Sequence, residues 1–228
     1  MAKGNVKVLG AWPSPFVMRA RIALNIKSVE YEFLEEKLGS KSELLLKSNP
    51  IHKKIPVLIH NDKPVCESLV IVQYIDEVWS SAPSILPADP HDRATARFWA
   101  AYVDEKWFPT MRSIATAEGE EARKAAIQQV IEGIVLLEDA YSKCSQGKPF
   151  FGGNQIGLVD IAVGCFLGWL RVTEKTSQVK LLDEAKTPGL VKWAERFCAH
   201  VAVKDVMPDT DKLAEFAKLL AKFKAPPK

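Results

Sequence analysis

Apolar positions in the first eighty residues alternate between two spacings. Val6 to Gly10 is a short apolar run of strand type, while Pro15 to Ile26 sets Val17, Ala20, Ile22 and Ala23 at helical intervals. Tyr31 to Leu34 predicts a second strand and residues 42 to 48 a short helix. Pro56 to His60 and Lys63 to Val65 predict two strands turned at Asn61-Asp62, and Ser68 to Trp79 another helix. The order is β-α-β-α-β-β-α, in which helical crossovers imply parallel pairs and the final close pair an antiparallel hairpin.

The spacing changes after the Ser- and Pro-rich stretch from Ser80 to Pro90. From there it is helical to the end, with helices expected over Asp92–Thr116, Gly119–Ser145, Leu158–Thr173, Gly189–Ala199 and Asp209–Lys222. At the third of these, Asp160 sits where it can reach back to open amides, and Ile156 and Ile161 suit a hydrophobic staple. Gly157 replaces the usual capping hydroxyl. The expected plan is an α/β domain over residues 1–80, a linker over 81–91 and an all-helical domain over 92–228.

Composition adds mainly exclusions. The chain has 228 residues, 47% of them hydrophobic, enough for a substantial core. Its 31 basic and 28 acidic residues leave a net charge of +3, spread without a block of one sign, which argues against a nucleic-acid surface. The Lys-rich run after Leu213 reads as the solvated face of a helix. Cys66, Cys144, Cys165 and Cys198 show neither paired spacing nor His partners at ligand offsets, so no metal site and no disulfide framework is expected. The most apolar stretch, Ile161 to Leu170, is shorter than the roughly 20 residues of a membrane span. With no signal segment before the first strand, a reducing cytosolic location is expected.

Candidate chemistry centres on Trp12-Pro13-Ser14-Pro15-Phe16, which holds one hydroxyl between two prolines after the first strand. Proline fixes its own φ and pushes the preceding residue to extended geometry, so Ser14 is expected neither to prolong the strand nor to start the helix. The pentapeptide is either an ordinary turn or a held hydroxyl. Ile55-Pro56 opens a later strand; a cis bond there would leave the Ile55 backbone free to pair with a peptide ligand, whereas a trans bond would merely start an edge strand. Glu67-Ser68 lies where the hairpin ends and a helix begins. Ser68 is the expected N-cap, its amide favours a carboxylate, and Glu67 suits an ammonium. Lys41 and Lys54 can meet a second carboxylate or remain solvated. Together these groups fit a small extended peptide with an ammonium, two carboxylates and a central reactive group, and glutathione has that description.

Over essentially its whole length the chain resembles the plant tau-class glutathione transferases. The resemblance is carried by Trp-Pro-Ser-Pro-Phe at 12–16, Asn-Pro-Ile-His-Lys-Lys-Ile-Pro-Val-Leu at 49–58, Glu-Ser at 67–68 and Phe-Phe-Gly-Gly at 150–153. It implies a thioredoxin-like N-terminal domain, an all-α C-terminal domain, a homodimer, and conjugation of glutathione to hydrophobic electrophiles in detoxification. No metal or further cofactor is implied. It places Ser14 near the glutathione sulfur, Ile55 pairing through its backbone before a cis Pro56, Glu67 and Ser68 at the γ-glutamyl end, and Lys41 and Lys54 at the glycyl carboxylate.

The electrophile is then expected between the domains, against Ala11, Trp12, Phe16, Trp107, Phe108, Arg112, Trp169 and Phe216. Each is a pocket wall or a core residue, since aromatics at helical spacing dominate interiors. Related chains often carry a bulky aromatic where Ala11 stands, which implies a roomier pocket here. Asp104 and Lys106 are expected at a contact between copies. Two rivals stay open: a thiol-disulfide oxidoreductase, disfavoured by a serine at position 14, and a non-catalytic carrier of hydrophobic metabolites. Peroxide reduction is a compatible side activity.

Overall fold

The computed structural model describes residues 5–37, 39–81 and 83–224. Met1–Gly4 and Ala82 of the expected linker lie outside the described residues. The first half contains β1 (Val6–Gly10), α1 (Pro15–Ile26), β2 (Glu32–Glu35), α2 (Glu43–Ser48), β3 (Val57–His60), β4 (Lys63–Cys66) and α3 (Ser68–Val78), in the order expected from sequence. The sheet runs β2-β1-β3-β4. Only β1 and β2 pair in parallel; β1 with β3 and β3 with β4 are antiparallel. A helix between β2 and β3 therefore does not make them a parallel crossover pair: β3 runs back from the end where β2 leaves.

Alternation sorts the strands into two faces. Val6, Val8 and Leu58 join the main core with α1 and α3, while Leu9, Val57 and Ile59 pack with Leu45 of α2 on the opposite side. Asn61 and Asp62 both adopt positive φ, the twist a two-residue hairpin turn requires. Gly10 ends β1 where any Cβ would collide with Val17 of α1, so the first loop must turn against the helix without a side chain there.

The second half is helical: α4 (Pro90–Tyr102), a π-helical turn (Val103–Trp107), α5 (Phe108–Ser113), α6 (Glu120–Ser145), α7 (Leu158–Gly164), α8 (Leu167–Ser177), α9 (Pro188–Ala199) and α10 (Thr210–Lys224). Two expected helices are therefore interrupted. The one over Asp92–Thr116 widens into the π turn just before Pro109, whose ring and missing N–H disturb the preceding turn. The one over Leu158–Thr173 breaks at Cys165-Phe166, where the Ala162 carbonyl is taken by the Arg19 side chain at 3.0 Å and Phe166 N–H turns back to Val163 instead. Among the described residues no helix is long and apolar enough to cross a membrane.

Two buried carboxylates organise the connections. Asp76 of α3 pairs with Lys27 at 2.7 Å and accepts from the amides of Ile85 and Leu86, which pins the linker to the first half. Asp160, fully buried, accepts from the amides of Phe151, Gly152 and Gly157 and from the Trp193 indole, all at 2.7–2.9 Å. The Phe-Phe-Gly-Gly segment is thus a lining of this carboxylate, flanked by buried Ile156 and Ile161.

Burial pushes the Asp160 carboxyl up to about 6, against the pull of these donors. An unfolded Asp titrates near ~3.9, so the fold holds this proton more tightly, and the stability it contributes is complete below that value and is lost as pH rises through about 6. Asp160→Asn, which cannot titrate, is expected to flatten that window in urea unfolding followed against pH. Asp160→Ala strands several buried donors and is expected to cost about 3 kcal/mol or more.

Candidate functional site

The sheet register gathers the sequence motifs at one end. Leu9 of β1 faces Val57 of β3, and Val57 faces Cys66 of β4, so the loop after β1, the residues before β3 and the turn after β4 emerge side by side. Gly10 faces Glu35, which brings the loop after β2 to the same end.

From the first of these, Ser14 stands as the N-cap of α1, in extended geometry (φ −80°, ψ 118°). The flanking prolines do hold it extended, but it does start the helix, because Pro15 is well suited to the first helical position. The Val17 amide donates to Ser14 Oγ at 3.4 Å, and the Ser14 amide donates to the Ala11 carbonyl at 3.0 Å. Oγ is engaged as an acceptor, and its own proton is left to give.

The Ile55-Pro56 bond is cis. Its loop is set by Asn49, whose side chain is buried: Nδ2 donates to the Lys54 carbonyl at 2.9 Å and Oδ1 accepts from the His52 amide at 3.1 Å. Lys54 is exposed, as is Lys41, one residue before the Ser42 cap of α2. Glu67, not Ser68, occupies the cap of α3, with φ at 70°, and makes no side-chain cap bond. Its carboxylate faces solvent with His52 Nε2 at 3.8 Å. Ser68 is the first helical residue and is buried.

Ser68 leads to a residue the sequence reading missed. The wholly buried Arg19 of α1 donates to Ser68 Oγ at 3.2 Å, to both Asp104 oxygens at 2.8 and 2.6 Å, to the Ala162 carbonyl and to Cys165 Sγ at 3.3 Å. Phe16 and Phe166 flank it, each centroid 5.2 Å from Cζ. Burial works against its charge, yet the Cys165 sulfur and the Asp104 carboxylate outweigh that and raise its pKa. Asp104, expected at a contact between copies, is half-buried and bonded to Arg19, and Lys106 is exposed. An Arg between Met18 and Ala20 inside an apolar helix was the available signal, but partners 49 to 146 residues distant left nothing in the spacing to name them.

The expected electrophile residues form two aromatic groups beside the Ser14 loop. Phe16 meets Phe108 at 5.4 Å, Phe108 stacks on Phe166 at 4.4 Å, and Arg112 lies 5.9 Å over Phe108. Trp12 meets Phe216 at 5.3 Å, and Trp169 meets Phe216 at 6.5 Å. Trp107 is buried against Phe166 and Gly133 in the core, and Ala11 is buried as well. Cys66 donates to the Ser48 carbonyl at 3.5 Å, and burial and then Glu67 push its thiol pKa up.

A cis-proline loop, a capping hydroxyl and an acidic turn at one end of a thioredoxin-like sheet, joined to a helical domain, are the plan of a two-domain thiol transferase. Comparison with known proteins gives the same class: the N-terminal domain family of glutathione S-transferases matches residues 4–77 and their C-terminal domain family residues 98–200. Glutathione S-transferase U17 of Arabidopsis thaliana is 68% identical over 219 residues, 96% of each chain. A tau-class glutathione S-transferase from mango, Mangifera indica, superposes with a TM-score of 0.94 at 75% identity, covering 96% of this chain and all of the other. Rice GST1, solved in complex with glutathione, gives 0.90 at 36% identity over 99% of this chain and all of its own. The chain belongs to the glutathione S-transferase family, in its tau class.

Arg19→Ala leaves Asp104 half-buried and unpaired beside a freed Ser68, and is expected to cost about 3–5 kcal/mol in urea unfolding. Arg19→Lys, which keeps charge without the fork, is expected to recover only part of it.

Proposed function

We propose that this chain holds the thiol of glutathione as a thiolate at Ser14 and directs it at hydrophobic electrophiles bound between residues 1–80 and the helical region 92–228. The observation that carries this reading is the capping geometry at Ser14. The Val17 amide points at Oγ from 3.4 Å, which orients the hydroxyl as an acceptor there while its proton remains available to a sulfur anion. Ser14 acts as a donor, not a base.

The other groups follow the chemistry of the tripeptide. The Glu67 carboxylate faces solvent and takes the γ-glutamyl ammonium. Ser68 Oγ accepts from Arg19, so its proton and its amide at the start of α3 serve the neighbouring carboxylate. The cis bond leaves the Ile55 backbone free to pair with the cysteinyl unit, and Lys41 and Lys54 meet the glycyl carboxylate.

A free thiol with pKa near ~8.5 is only a few per cent ionised at neutral pH, and the thiolate is the nucleophile. The Ser14 hydroxyl and the positive end of α1 favour the anion; lowering the pKa by about two units corresponds to about 2.7 kcal/mol. The thiol proton leaves to water, the sulfur forms a bond to the electrophilic carbon, and the leaving group departs with its electron pair. No covalent enzyme intermediate arises. Trp12, Phe16, Phe108, Arg112, Trp169 and Phe216 supply the apolar walls, with Ala11 and Trp107 behind them. Thiol-disulfide exchange is disfavoured by Ser14 and by a Cys66 thiol held to a carbonyl with its pKa raised.

We further propose a cytosolic homodimer. The Arg97 Nε to Gln73 Oε1 bond, at 2.8 Å, joins α4 to α3, and these helices carry the exposed Phe98 (62% accessible) and Val70 (51%). Light scattering in solution is expected to give twice the chain mass, and a monomer would refute the assembly.

Ser14→Ala is expected to lower conjugation of an activated aryl halide by about 10²–10³-fold, while glutathione binding changes little. The lost cap is expected to cost about 1 kcal/mol of stability. Near-normal turnover in this variant overturns the assignment.

A further inference from the structure

Trp169 of α8 enters the sequence reading as a wall of the electrophile pocket. Its ring does pack against Phe216, but its indole N–H is committed elsewhere: it donates to the Pro13 carbonyl at 2.9 Å, across 156 residues of sequence. That carbonyl belongs to the peptide unit whose nitrogen is Ser14's own.

The local restraints on Ser14 are otherwise modest. Its amide closes a turn on Ala11 at 3.0 Å, and its cap bond to Val17 is 3.4 Å, near the limit at which such a bond has directional strength. Pro13 has no N–H with which to anchor the loop from its other side. The Trp12 amide ties the start of the loop to Glu35 Oε1 at 3.1 Å, and the helical half adds, through one indole donor, a restraint on the peptide unit of Ser14 itself.

We infer that Trp169 is a positioning residue for the thiolate: by holding the Pro13 carbonyl it sets where Ser14 Oγ sits relative to the sulfur, and through that the acidity of bound glutathione. This rests on the reading of Ser14 as the thiolate donor. Hydrogen bonds to charged acceptors depend steeply on geometry, so a small displacement of Oγ changes how strongly the anion is favoured over the thiol.

The test is Trp169→Phe in the full-length protein, which keeps an aromatic ring beside Phe216 and removes only the donor. The thiolate absorbance of the enzyme–glutathione complex and the conjugation rate with an activated aryl halide are followed against pH. The expected result is a bound-thiol titration moved upward by about half to one unit, with turnover about three- to tenfold lower near pH ~6.5 and converging on wild type at high pH. Glutathione affinity at low pH, where the bound group is the thiol, stays within about twofold. Trp169→Leu, which also lacks any donor, gives the same shift and serves if the first variant folds poorly. Phe216→Leu, which leaves the indole N–H in place, raises KM for the electrophile without moving the titration.

An unmoved titration in Trp169→Phe overturns the inference, as does a loss independent of pH or confined to the electrophile KM. Ser14→Ala run in parallel separates the two possible failures. If it too leaves the titration unmoved, the reading of Ser14 falls; if it alone shifts the titration, only the role of Trp169 falls.

Discussion

The guanidinium of Arg19 is the constraint around which the two halves are arranged. A charge removed wholly from water needs compensation in place, and Arg19 finds it only by drawing on both halves: Ser68 from the first, Asp104, Ala162 and Cys165 from the second. Both departures from regular helix lie on this network. Asp104 is inside the π turn, and the break at Cys165-Phe166 begins where Arg19 takes the Ala162 carbonyl. The break at Cys165-Phe166 is thus a consequence of satisfying one charge, while the π turn that Pro109 brings about carries the carboxylate that answers it. The same charge also fixes the first residue of α3, next to the exposed acid Glu67.

Around that centre the sheet performs a sorting task. Each of the three motif-bearing loops is short and contains a residue with little freedom: Ser14 between prolines, Ile55 before a cis proline, Glu67 at positive φ. None would place a side chain reliably alone. Register places them, since Leu9, Val57 and Cys66 are cross-strand neighbours on β1, β3 and β4. Asn49 then fixes the second loop with two side-chain bonds. A row of polar groups at one end of the sheet results from strand pairing plus a few rigid joints.

Element types and order were legible in the sequence because strand runs and helical stripes are local signals, and the Asn61-Asp62 turn and the Asp160 box are local chemistry. The motif residues were legible for the same reason: prolines and acids at element junctions mark themselves. What could not be read was whatever depends on distant partners. The fate of Arg19 needed Asp104, and the indole of Trp169 needed Pro13. The cap of α3 passed to Glu67 because Ser68 Oγ faces Arg19, so a reading of propensity at that junction chose the wrong neighbour. Trp107, equal to Phe108 as a pocket wall by spacing alone, proved to be core because it lies against Gly133 of α6.

Thiol chemistry at this site demands a second kind of order, in the protein's own sulfurs. Any cysteine with a low pKa would compete with bound glutathione for the electrophile and be consumed by it, since the thiolate is the reactive form. All four cysteines are free, and for all four burial drives the pKa upward. Cys165 reaches about 11 despite lying against Arg19, a contact that alone would favour its anion. Burial outweighs that pull, and Asp104, bonded to both ends of the guanidinium, adds to it in the same direction. The burial that draws the halves together around Arg19 therefore also keeps the nearest buried sulfur protonated.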